Sequence, residues 1–164
     1  EEIIWIREQG FHHVVSLSTS PHNLHNYDEL GVAWLHRTFP RNDDLPRYLQ
    51  TIYADLSGHI AAGNAVLFHQ EEVSDALVGL MAGYVVWSNL VPAPHEATAV
   101  TEQIVGRRLG PAGRDLVTTA VLIRDTPLPP RPQTPAAPVV DETADPDGAD
   151  ESDETGESAD PAGD

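Results

Sequence analysis

Cysteine is absent from the 164 residues, and so is lysine. The first absence removes disulfides, thiolate metal sites and thiol nucleophiles together. The second makes all nine cationic side chains Arg. With abundant Ala, Pro and Asp, that reads as the bias of a GC-rich bacterial genome rather than as function. Long apolar runs are missing too: none approaches the roughly 20 residues that cross a bilayer. No signal peptide is visible, so the expectation is a cytoplasmic protein. No Gly-x-Ser-x-Gly elbow marks a serine hydrolase.

What the chain has in excess is acid, 26 Asp and Glu for a formal charge of −17. Eleven of those acids fall in residues 141–164, with no Arg among them. Such a segment buries too little apolar surface to offset its ordering entropy, so a disordered acidic tail is expected there. Residues 125–140 hold Pro127, Pro129, Pro130, Pro132, Pro135 and Pro138 and read as an extended linker. One folded domain over residues 1–124 remains. An acidic chain argues against nucleic acid and anionic membranes as partners. The chain starts in mid-pattern without an initiator Met, as a piece of a longer polypeptide would.

Within residues 1–124 the pattern alternates. Residues 1–9 followed by Gly10 predict a helix with a glycine stop, and residues 11–17 a strand. Residues 23–30 predict a short helix ended by Gly31, and 32–37 a second strand. Asp44 and Pro46 mark a helix start, and apolar residues at helical spacing carry it to Ala62, with Gly58 and Gly63 as weak points or ends. Residues 65–68 read as a buried strand, and 76–87 as a helix packed on several sides. Two helices follow, through Val105 and through Ile123. Alternation of this kind predicts an α/β fold with three layers, a small mostly parallel sheet flanked by helices.

Between the third strand and its helix lies His69-Gln70-Glu71-Glu72-Val73-Ser74-Asp75. In open α/β sheets ligands bind at that junction, because the first helix N–H groups are free and the dipole is positive there. The place suits an anion, but Glu71, Glu72 and Asp75 do not. An apolar strand, a His, a short loop and a long helix resemble the signature of the cysteine-dependent, dual-specificity-type phosphatases. In that motif a Cys follows the His, and an Arg follows five loop residues later. Here Gln70 stands at the Cys position and Ala76 at the Arg position, with Val73 at a usual Gly and Leu77 at a usual hydroxyl residue.

The resemblance extends by order of elements over residues 1–123 and implies the dual-specificity phosphatase fold. It also implies, for active members, a thiolate nucleophile, an Arg that holds phosphate, and an Asp on an earlier loop as general acid. Asp43 or Asp44 lies in the loop resembling that one. With Gln70 and Ala76 in place, the resemblance implies a catalytically inactive relative, a pseudophosphatase.

No catalytic residue is therefore expected; the degenerate positions are Gln70, Ala76, Asp43 and Asp44. The candidate binding residues are His69, Gln70, Glu71, Glu72, Ser74 and Asp75, a recognition loop for a neutral or cationic group on a protein partner. The alternative is a divergent hydrolase whose acidic loop holds a divalent metal opposite Asp43 or Asp44. The plainer reading of the same acids is a solvated helix start, with Ser74 or Asp75 as its cap. A third reading makes the chain a regulatory segment of a longer protein. No cofactor is expected, and oligomeric state is not legible. His22, His25 and Asp28 share helical spacing but lack a further ligand for zinc. Arg107, Arg108 and Arg114 form a basic cluster near a helix end. Gly79-Leu80-Met81-Ala82-Gly83 predicts a close helix contact.

Overall fold

The computed structural model of the protein describes residues 2–21, 24–40 and 44–129. The chain order is α1 (Glu2–Glu8), β1 (His13–Ser16), α2 (His25–Glu29), β2 (Ala33–His36), α3 (Leu45–Ala61), β3 (Val66–His69), α4 (Asp75–Trp87), α5 (Pro94–Val105) and α6 (Pro111–Asp125). The linker from residue 130, the acidic tail, His22 and Asp43 lie outside the described residues.

Local chemistry sets the element ends. Gly10 and Gly31, at φ 78° and 66°, take the left-handed conformation that stops α1 and α2. Proline occupies the first turn of α3, α5 and α6, where its missing N–H is no loss. Gly58 proves interior to α3 rather than an end. Its position is exposed, and the helix propagates through it to Ala61, with Gly63 left-handed at φ 77° just beyond the end. Two further boundaries differ from expectation: His69 completes β3, and Asp75 already belongs to α4.

The sheet is parallel throughout, in the order β2-β1-β3. Side chains alternate along a strand, so β1 feeds both faces. Val15 joins Leu49, Ile52 and Tyr53 of α3, Leu80 and Tyr84 of α4, and Leu116 and Ala120 of α6. Val14 joins Ile6 of α1, Tyr27 of α2 and the neighbouring Leu24 and Val32 on the opposite face. Two cores on two faces make the three-layer α/β fold. Among the described residues, no helix is long and apolar enough to cross a membrane.

α4 has no polar stripe, and it packs against α3, α5 and α6. Its approach to α6 depends on glycine. A Cβ on Gly79 would land on Gly113 Cα and 2.6 Å from the Gly113 carbonyl oxygen. One turn later, a Cβ on Gly83 would meet the Tyr53 hydroxyl and lie 3.0 Å from Ala120 Cβ. The small-residue spacing is thus a packing groove against α6 and α3. The Tyr53 hydroxyl donates to the Leu80 carbonyl at 3.0 Å. Burial drives its phenol pKa upward, with Tyr48 adding to the shift, so it stays a donor.

Candidate functional site

The loop after β3 opens at the carboxyl end of the sheet, where the parallel strands deliver their last side chains. Ser16 of β1 is level with His36 of β2 and His69 of β3. By alternation these three share the face covered by α1 and α2. His36 Nε2 lies 2.8 Å from the Ser18 carbonyl oxygen. Ser16 Oγ and His69 Nδ1 are buried without a protein partner among the described residues. His69 is therefore part of the sheet's underside, half-buried, rather than a free loop ligand.

The loop itself is closed by its own side chains. The Ser74 hydroxyl donates to Gln70 Oε1 at 2.9 Å and accepts from the Leu77 N–H at 3.1 Å. One hydroxyl thus caps α4 and ties down the Gln70 amide. The Ser74 N–H donates to the Glu72 carbonyl at 2.9 Å, tightening the turn. Arg107, from the basic cluster beyond α5, donates to the Val73 carbonyl at 2.6 Å. Glu71, Glu72 and Val73 are left exposed. Ala76 packs with Leu77 against the main core and presents no polar group.

Asp75, one of the candidate binding residues, is engaged within the protein. Its two carboxylate oxygens accept from the Gly110 N–H at 2.6 Å and the Gly113 N–H at 2.8 Å. These belong to the free N–H groups at the start of α6, so Asp75 caps a helix distant in sequence and sits in the favourable field of its dipole. A Cβ at Gly110 would lie 2.8 Å from Asp75 Oδ2, so the close seat needs glycine there. No local pattern in the sequence announces this contact; it is made by tertiary packing.

Among the described residues, no group of three or more His, Asp or Glu side chains is placed to hold a metal ion. Asp44 stands at the N-cap of α3. Asp28 accepts from Trp34 Nε1 at 2.9 Å through one of its carboxylate oxygens.

Sequence reasoning also passed over a histidine pair. His13 of β1 stacks on His59 of α3, ring centroids 4.4 Å apart. Burial first, then the neighbouring His59, lowers the His13 pKa, while Asp55 opposes them.

No family model and no curated protein matches the chain. Solved structures do. Tk-PTP in its active form superposes with a TM-score of 0.63 at 17% identity, over 74% of this chain and 84% of that one. Kinase associated phosphatase, carrying a Ser for its catalytic-site cysteine, gives 0.66 at 12% identity, over 77% and 78%. Human DUSP28 gives 0.57 at 15% identity, over 74% and 82%. The fold is that of the tyrosine and dual-specificity phosphatases. The sequence has no cysteine to supply a thiol nucleophile, so cysteine-dependent phosphatase chemistry is absent.

Proposed function

We propose that the chain is a non-catalytic phosphatase-fold domain that works as a cytoplasmic protein-interaction module. The loop of residues 69–75 serves as its recognition surface for a neutral or cationic group. The observation that carries this reading is the Ser74–Gln70 hydrogen bond. The position of a thiolate is held by an amide fixed in place, and the Leu77 N–H, a first-turn donor suited to an anion, is already occupied by Ser74. Glu71 and Glu72 face solvent beside it, repelling phosphate and attracting an Arg or Lys side chain. The eleven acids of residues 141–164 would add long-range attraction to a basic partner.

The test is a titration of the isotope-labelled full chain with a short Arg-containing peptide and, separately, with inorganic phosphate. The peptide should shift the amides of residues 70–74, and Glu71→Gln with Glu72→Gln should abolish the shift. Phosphate should leave them in place. A phosphate-induced shift, or no response to the peptide, would overturn the reading.

A further inference from the structure

At the other end of α4, about 18 Å along its axis from Asp75, a second feature involves the residues that follow α6. Beyond Thr126 the chain reads Pro127-Leu128-Pro129, and it turns back across α3. Gln50 takes both backbone groups of Leu128: its Nε2 donates to the Leu128 carbonyl at 2.9 Å, and its Oε1 accepts the Leu128 N–H at 2.7 Å. Arg47 Nη1 donates to the Pro129 carbonyl at 2.9 Å. Pro127 lines a cleft with Ala54, Trp87, Asn89 and Ile123. Trp87 is held against Tyr53, centroids 5.5 Å apart, so this wall is braced by the core. Asn89 has a left-handed backbone at φ 59°, which turns the chain sharply after α4.

The chemistry of this seat is selective. In Pro-Leu-Pro the prolines have no N–H, so Leu128 carries the single backbone donor of the triplet, and Gln50 captures it. Both following carbonyls are read as well, by Gln50 and Arg47. The prolines fix φ near about −65° and so reduce the entropy cost of laying the segment against α3.

We propose that the Arg47–Gln50 edge of α3, beside the cleft that Trp87, Ile123 and Pro127 line, is a docking seat for a Pro-X-Pro peptide, held in cis by the chain's own residues 126–129. A tethered ligand acts at a millimolar effective concentration, so the segment works as a built-in competitor. A partner with the same chemistry enters only when the strap is weakened or outcompeted. The seat is separate from the loop after β3, and its occupancy is independent of what that loop recognises.

The experiment uses the full chain, isotope-labelled, and the free peptide Asp-Thr-Pro-Leu-Pro as probe. In the strap variant Pro127→Gly with Pro129→Gly, the peptide should produce saturable shifts of the Gln50 side-chain amide and the Trp87 indole N–H. The unmodified chain should need roughly tenfold more peptide, since its own strap competes. Adding Gln50→Ala to the strap variant should remove the response. No shift in the strap variant at millimolar peptide would overturn the proposal, as would equal affinity in the unmodified chain or a response indifferent to Gln50→Ala.

Discussion

The same substitution at two helical glycines should move stability in opposite directions. A Cβ added at Gly79 would meet only backbone: Gly113 Cα, the Gly113 carbonyl oxygen at 2.6 Å and its carbonyl carbon at 2.9 Å. No side chain can rotate away, so α4 and α6 must separate along a crossing that also seats Val78, Ala82, Leu109 and Val117. Overpacking costs about 1 to 3 kcal/mol, and a backbone-to-backbone clash belongs at the upper end. The better helix propensity of Ala returns roughly 1 kcal/mol. Gly79→Ala should therefore destabilise by about 2 kcal/mol. At Gly58 a new Cβ meets nothing within 4 Å, so Gly58→Ala should stabilise by about 0.4 to 1 kcal/mol. Urea unfolding of the full chain reads both. With a slope of about 1 to 3 kcal/mol per molar, the Gly79→Ala midpoint should fall by roughly 1 M while that of Gly58→Ala rises. A Gly79→Ala protein as stable as the unsubstituted one would refute the glycine contact.

Other outcomes follow from the loop and the histidine pair. Asp75→Ala leaves the Gly110 and Gly113 N–H groups without their charged acceptor. It should cost about 2 to 4 kcal/mol by the same unfolding assay, whereas Gln70→Ala, with its amide half-exposed, should cost far less. Ser74→Ala removes the cap of α4 and should cost about 1 kcal/mol. His13 is held neutral in the folded state by burial and His59, while the unfolded chain takes up its proton near the ordinary 6.5. The unfolded state then binds more protons below that value. This contribution to stability is present above pH 6.5 and is lost as pH falls through the lowered native value. The urea midpoint should drop from pH 7.5 to 5.5, and His59→Gln, which relieves the stacked partner, should flatten the drop.

The nine elements of the described residues were legible because their signals are local. Gly10 and Gly31 stop helices by conformation, Pro46 and Pro111 start them, and the apolar run at 65–68 has strand length. The three layers followed from alternation, as Val14 and Val15 go to opposite cores. The closeness of Gly79 to a neighbouring helix was legible from spacing, but its partner Gly113 was not. The site was the harder part. Asp75 read as one of three loop acids, and only the packing of α4 on α6 shows that it caps a helix 35 residues away. Gln50 and Leu128, 78 residues apart, carry no mark in the sequence beyond the prolines on either side of Leu128. The His13–His59 stack likewise depends on α3 folding back over β1.

The central claim, that the chain carries the phosphatase fold without phosphatase chemistry, is tested most directly by hydrolysis of a generic aryl phosphate. The assay takes the purified full chain with and without divalent cations, beside Gln70→Ala and Asp44→Ala. No turnover above buffer in any of the three proteins is the result expected. Turnover by the unsubstituted chain that falls in either variant would contradict it and show that the pocket does chemistry without a thiol.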